Sequence, residues 1–207
     1  MLPYQKINHF PGSYQLGRKN LLYRNLGRMK KYLPNEYDFL PKTWILPQQF
    51  EELKSYMDAC LFENTTQPKP VLIVKPEASS QGKGIYLTKK YETIGPYEHC
   101  VVQEYLPNPY LIDNLKFDLR IYVLIKSINP LKIFIYKEGM ARFATVKFDR
   151  PKKSNMKNLC MHLTNYAINK KNPDFKSSNE NDLEDQGHKR SFSSILRVIH
   201  WQSSTKF

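Results

Sequence analysis

The chain has 207 residues, 41% of them hydrophobic, with 32 lysines and arginines against 19 aspartates and glutamates, a net charge of +13. That length holds one sizeable core or two small lobes, and no apolar run approaches the ~20 residues needed to span a bilayer. The three cysteines, Cys60, Cys100 and Cys160, are odd in number and scattered, which argues against a disulfide framework or a zinc site and for a reducing compartment.

The first periodic stretch covers residues 18–33, where Leu22, Leu26, Met29 and Leu33 recur at helical spacing and Arg24, Arg28, Lys30 and Lys31 take the polar side. A second helix is expected over 48–61, with Phe50, Leu53, Met57 and Cys60 inward. Residues 63–70 read as a polar linker ending in proline, and from 71 to 148 the pattern turns to strands. Val71-Leu72-Ile73-Val74 is a core strand ending on Lys75. A small-residue loop, Glu77-Ala78-Ser79-Ser80-Gln81-Gly82-Lys83-Gly84, leads into a second strand from Ile85. Val101-Val102-Gln103-Glu104-Tyr105-Leu106 runs into Pro107-Asn108-Pro109 and stops there, because neither proline can donate to a ladder.

The ten residues from Lys116 to Ile125 alternate with strand period. Phe117, Leu119, Ile121, Val123 and Ile125 fall on one face, and Lys116, Asp118 and Arg120 on the other. Asn129-Pro130 turns this strand into residues 132–136, and Glu138-Gly139 turns that one into 141–146. Residues 161–169 read as an edge or loop. Residues 170–189, rich in Asn, Asp, Ser and Lys, read as a mobile loop, and a short helix is expected near 193–199.

Chemistry concentrates in this middle section. Gly82 and Gly84 flank Lys83, so backbone N–H groups can approach an anion without obstruction by Cβ. Lys75 and Lys83 supply point charges suited to phosphate. The loop lacks Walker A spacing and the third glycine of a dinucleotide fingerprint; a glycine-flanked lysine is also an ordinary hairpin turn. The end of the 101–106 strand offers backbone groups to a base edge. Two cations bracketing one carboxylate at Lys116, Asp118 and Arg120 suit a polyanion with a sugar or metal beside it, and equally a solvated face with a local ion pair. The positive charge suits nucleic acid or an acidic protein surface, but the basic residues are dispersed and no nucleic-acid motif is present.

The chain resembles the tubulin–tyrosine ligase-like enzymes, and among them the tubulin polyglutamylases. The resemblance rests on Asn8-His9-Phe10-Pro11-Gly12, Arg24-Asn25-Leu26-Gly27-Arg28, Pro41-Lys42-Thr43-Trp44, Lys75-Pro76 with Gln81-Gly82-Lys83-Gly84-Ile85, Gln103-Glu104-Tyr105-Leu106, Lys116-Phe117-Asp118-Leu119-Arg120, Arg142-Phe143 and His162-Leu163-Thr164-Asn165-Tyr166, in the family's order. It implies an α+β, ATP-grasp-like fold in which two lobes hold ATP and Mg²⁺. It also implies an acyl-phosphate ligase that adds free glutamate to the acidic tails of tubulin. The implied location is cytoplasmic, at the cytoskeleton, a cilium or flagellar axoneme, or a basal body, with no membrane and no nucleic acid.

Carried over residue by residue, Lys75, Gln81, Gly82 and Lys83 would hold phosphates. Gln103, Glu104, Tyr105 and Leu106 would form the adenine hinge, and Lys116, Phe117 and Asp118 would meet the nucleoside. Arg120 would neutralise phosphate or acyl-phosphate charge, and Thr164 and Asn165 would close on the phosphate side. Arg142, Tyr166 and Lys189, with Gln81, would face the amino-acid substrate, Arg142 also acting in catalysis. The domains expected are a partial helical N-terminal lobe at 1–62, a central lobe at 63–112 and a partial C-terminal lobe at 113–207. The family's Mg²⁺ ligands lie on a C-terminal aspartate and a Glu-x-Asn strand. No such strand follows Ile195, and Glu180-Asn181-Asp182 lies before the expected position, so the resemblance implies a truncated domain. A catalytically inactive relative that binds nucleotide or microtubules is the alternative, and a basic nucleic-acid-binding domain a third.

Overall fold

The computed structural model describes residues 2, 4–5, 7–62, 69–77, 79–177 and 187–204. The chain forms two compact units, Met1–Pro107 and Asn108–Phe207.

In the first unit a short helix, α1 (Tyr14–Gly17), leads into α2 (Lys19–Tyr32), followed by β1 (Thr43–Leu46), α3 (Phe50–Phe62), β2 (Leu72–Pro76), β3 (Tyr86–Thr88), a 3₁₀ turn at Tyr91–Thr93 and β4 (Cys100–Glu104). The strands make one antiparallel sheet in the order β1-β4-β2-β3. Strand alternation divides it into two faces. Trp44, Leu46, Leu72, Val74, Cys100 and Val102 pack with Leu53 and Met57 of α3 in one core. On the other face stand Thr43, Val101, Gln103, Ile73 and Lys75, as the pairings Thr43↔Gln103, Ile73↔Gln103 and Lys75↔Val101 require. Helix α2 contributes Tyr23 to this second face, its hydroxyl donating to Gln103 Oε1 at 3.5 Å.

The helices expected over 18–33 and 48–61 are present, each within two residues of its expected ends. Burying Cys100 in the first core pushes its thiol up to about 11, so it behaves as a small apolar residue rather than a nucleophile.

The second unit holds β5 (Leu111–Ile112), β6 (Leu115–Arg120), β7 (Val123–Ser127), β8 (Lys132–Ile135), β9 (Met140–Phe143), α4 (Leu159–His162), α5 (Tyr166–Asn169), β10 (Lys189–Ser191) and α6 (Phe192–Ser204). Its main sheet is antiparallel in the order β10-β9-β6-β5. Ile112, Ala141 and Phe143 pack with Ile195 of α6, joined by Leu115, Phe117, Val198 and Ile199. Phe117 and Phe143, opposite each other in register, stack with ring centroids 5.3 Å apart.

Here the structure departs from the single ten-residue strand. The ladder to β9 ends at Arg120, the chain breaks at Ile121-Tyr122, and β7 pairs with β8 as a separate two-stranded ribbon. The alternation holds for β6, whose Leu115 and Phe117 pack against the core while Leu119, near its end, is exposed. In the ribbon, Val123, Leu124, Ile133, Phe134 and Ile135 are exposed, because a two-stranded ribbon buries little by itself. In the stretch expected as an edge or loop, residues 163–165 are a loop between the short helices α4 and α5, and α6 is longer than expected. Of the loop expected at 170–189, residues 178–186 lie outside the described residues, as do Glu180, Asn181 and Asp182; Lys189 belongs to a strand.

Candidate functional site

In the first unit the glycine loop hangs from β2. Gln81, Gly82 and Gly84 take positive φ of 61°, 81° and 69°, the left-handed region that glycine enters without cost. A Cβ on Gly84 would lie 3.0 Å from Pro76 Cγ. The loop is fastened within itself, with Lys83 N–H donating to Ser80 O at 3.1 Å and Ser79 Oγ to Lys83 O at 2.8 Å. Lys19, at the start of α2, donates to Pro76 O at 2.9 Å and Ser79 O at 2.6 Å. Beside it the side chain of Asn20 donates to the Glu77 carboxylate. Lys83 is exposed and makes no ion pair among the described residues.

Lys75 lies beside this anchor, directly before Pro76 on β2. Its Nζ donates to Gln103 Oε1 at 2.7 Å and stands 5.6 Å from the Tyr23 ring centre. Burial, and after it the charge of Lys75, lowers the pKa of Lys19; two ammonium groups share one corner with the glycine loop. Such a corner offers an anion two cations beside a loop whose glycines carry no Cβ. Sequence reading found Lys75 but not Lys19, because the contacts of Lys19 with the loop span 57 and 60 residues of chain and no local pattern carries them.

The Gln103–Leu106 segment is less open than its sequence suggests. Glu104 N–H donates to Lys42 O at 2.9 Å and Tyr105 N–H to Val71 O at 2.7 Å. The Glu104 carboxylate accepts from the Tyr56 hydroxyl, whose pKa is raised first by burial and then by that bond. Tyr105 is buried and Leu106 exposed, and the N–H groups of Glu104 and Tyr105 are already bonded within the unit. A separate groove of about 480 Å³ is lined by Gly27, Lys42, Trp44 and Tyr56 and shares Tyr23 and Thr43 with the Gln103 network.

In the second unit the polar face of the sheet collects five of the expected residues. Lys189, Arg142 and Asp118 stand in line across β10, β9 and β6, and Arg120 aligns with Met140 and Ser191. Lys116 follows on the same side of β6, its Nζ donating to His162 O at 2.9 Å. Phe117, by contrast, points to the core.

Arg142 makes a two-pronged bond to Asp118, Nε to Oδ1 at 2.8 Å and Nη2 to Oδ2 at 2.5 Å, and its pKa is raised, chiefly by that bond. Its fork, expected to meet a free carboxylate, is therefore engaged within the chain. Lys189 Nζ sits 3.7 Å from the centre of the Tyr166 ring, a cation–π geometry that brings these two expected substrate residues together. Thr164 is buried, and the turn it shares with Asn165 is held by Asn169. The buried amide of Asn169 donates to Leu163 O at 2.8 Å and Asn165 O at 3.1 Å and accepts from Thr145 N and Oγ1, both at 2.9 Å. Asn169 was missed by sequence reading; an asparagine in a polar stretch gives no sign of burial.

The comparisons with known proteins now bear on this geometry. The profile described as "Tubulin-tyrosine ligase family" matches residues 1–204. The chain belongs to that family. A Tetrahymena thermophila protein named "Probable beta-tubulin polyglutamylase" is 50% identical over 202 residues, 98% of this chain and 16% of its own length. Tubulin polyglutamylase ttll6 of Danio rerio is 46% identical over 197 residues, 95% of this chain and 24% of its own. The human tubulin polyglutamylase TTLL6 is 46% identical over 175 residues, 84% of this chain and 19% of its own. The chain thus spans between a sixth and a quarter of the length of these relatives, and its mixed helices and antiparallel sheets agree with a partial ATP-grasp-like domain of the family. No helix among the described residues is long and apolar enough to cross a membrane.

Proposed function

We propose that this chain serves an ATP-dependent carboxylate–amine ligase that adds free glutamate to glutamate side chains of tubulin tails. The observation that carries the reading is the corner made by Lys19, Lys75 and the glycine loop, with its positive-φ residues. Two cations beside a loop whose glycines carry no Cβ suit a triphosphate. The names of the similar proteins supply the acceptor. The net charge of +13 suits an acidic tail, and such a substrate places the protein at the cytoskeleton, in a cilium or axoneme among other sites.

In this reaction a carboxylate oxygen of the acceptor takes the γ-phosphoryl group and ADP leaves. The amine of the incoming glutamate then attacks the acyl carbon, and phosphate leaves. Catalysis of this kind is mainly positioning and neutralisation of phosphate charge. Lys75, Gln81, Gly82 and Lys83 hold phosphate, Lys19 keeps their loop in place, and Leu106 meets the base edge. Lys116 and Asp118 touch the nucleoside, Arg120 meets phosphate or acyl-phosphate, and Arg142, Tyr166 and Lys189 face the glutamate. ATP fits the residues present. Among the described residues no three His, Cys, Asp or Glu side chains gather to hold a metal ion, and no residue here is assigned to Mg²⁺.

Calorimetric titration with ATP and Mg²⁺, beside a Lys75→Ala variant, tests the reading. Binding in the micromolar range that weakens at least about tenfold in the variant is the expected result, since a charge-assisted bond is at stake. A folded chain that binds ATP equally with and without Lys75 overturns it.

A further inference from the structure

A lysine has a long flexible stem and does not hold its charge in place unaided. Thr43 and Gln103 face each other across β1 and β4, and Lys75 lies two residues along β2 from Ile73, the other partner of Gln103. The three side chains therefore share one face as direct and diagonal neighbours. Gln103 is only 7% exposed, and both ends of its amide are bonded. Its Oε1 accepts from Lys75 Nζ at 2.7 Å, and its Nε2 donates to Thr43 Oγ1 at 2.8 Å.

An amide can turn over and exchange its donor and acceptor ends. Lys75, which can only donate, demands the carbonyl end, and Thr43 holds the other end in place. Its own hydroxyl proton goes to Pro41 O at 2.8 Å, so its oxygen can only accept, and only the NH₂ end of Gln103 can face it. The carbonyl end is thereby turned to Lys75. Tyr23 favours the same orientation, but at 3.5 Å its bond to Oε1 is at the limit of hydrogen bonding.

We propose that Thr43 is a positioning residue for Lys75, acting through the amide of Gln103. This rests on the reading of Lys75 as a phosphate ligand. Without the Thr43 hydroxyl, the buried NH₂ of Gln103 loses its acceptor, the amide moves to find another, and its carbonyl no longer stands where Lys75 needs it.

The test measures how fast Lys75 is acylated by an amine-reactive ester, read by mass spectrometry against exposed Lys132, with and without ATP and Mg²⁺. Thr43→Val removes the acceptor at near-constant volume, and Thr43→Ser keeps it. In Thr43→Val the rate at Lys75 rises about tenfold, the scale of one hydrogen bond to a charged group, while Thr43→Ser stays at the wild-type rate and Lys132 is unchanged throughout. ATP affinity falls by a similar factor in Thr43→Val only. A wild-type rate at Lys75 in Thr43→Val, or an equal rise in both variants, overturns the proposal. Failure of ATP to protect Lys75 in the wild type overturns the nucleotide reading instead, and the Thr43 comparison still decides the positioning role.

Discussion

The pair of Asp118 and Arg142 is the most exacting test of the second unit. The two residues face each other across β6 and β9 and share two parallel bonds of 2.8 and 2.5 Å. Their side chains are 39% and 24% exposed, so water screens part of the attraction. Exposed pairs are worth ~0.2–1 kcal/mol, and breaking a buried one costs ~3–5 kcal/mol. Two-pronged geometry at half burial places this pair at about 1.5 kcal/mol of coupling after that screening. A double-mutant cycle with Asp118→Ala, Arg142→Ala and both together, read by urea unfolding, measures it. Each single change is expected to destabilise, and the second to cost less once the first is made. The same cycle bears on the proposed function: while Asp118 holds the fork of Arg142, any incoming carboxylate would have to compete with it. A coupling below about 0.3 kcal/mol, within the additivity expected of independent sites, would refute the claim that these residues act as a unit.

Two further expectations concern the junction of β9 and α6. A Cβ on Gly139 would lie 2.6 Å from the backbone oxygen of Arg120 and 3.5 Å from Phe192 Cβ. Gly139→Ala should therefore lower the thermal midpoint, by an overpacking cost of ~1–3 kcal/mol; an unchanged midpoint counts against the close approach. Glu138 accepts from Ser193 Oγ at 2.5 Å, Gly139 N at 2.9 Å and Ser193 N at 3.1 Å at the start of α6. These bonds, the Ser193 hydroxyl first, lower its pKa from 4.5 to about 2. Because the folded value is the lower one, its stabilising contribution is complete above pH 4.5 and disappears as pH falls toward 2. Amide hydrogen exchange in the first turn of α6, corrected for intrinsic rates, should show protection falling through that window in the wild type. Glu138→Gln should flatten that change, and an identical profile in the variant contradicts the assignment.

What the sequence discloses here depends on the range of the contact. The two faces of β6 follow from alternation, and the structure places Phe117 in the core and Asp118 on the polar side accordingly. The same alternation continues through Val123 and Ile125, yet the ladder to β9 ends at Arg120. Periodicity states which side of a strand is apolar, not whether another element lies against it. Lys75 and Gln103 could be singled out because each lies in a recognisable strand. Their partners could not: Thr43 stands 60 residues from Gln103 and Lys19 57 residues from Pro76, and nothing local in Lys-Thr-Trp or Arg-Lys-Asn marks either as part of a site.

Lys189 shows the converse, a position whose meaning comes from the backbone alone. In sequence it closes a polar stretch and reads more naturally as a solvated lysine than as part of a site. Three constraints change that. Phe143 N–H donates to His188 O at 2.9 Å, His188 N–H donates to Lys176 O at 3.0 Å, and Lys176 N–H donates to His188 Nδ1 at 2.9 Å. His188 is held against Phe175 with ring centres 5.5 Å apart, and burial lowers its pKa, so near neutral pH the ring keeps the lone pair that Lys176 needs. With His188 locked in this way, the next residue must pair with Arg142, and its side chain must leave on the polar face beside Tyr166. A buried neutral histidine thus determines where the following cation stands. Gly187-His188-Lys189 therefore reaches the polar face by pairing with β9, through contacts made to both sides of the segment.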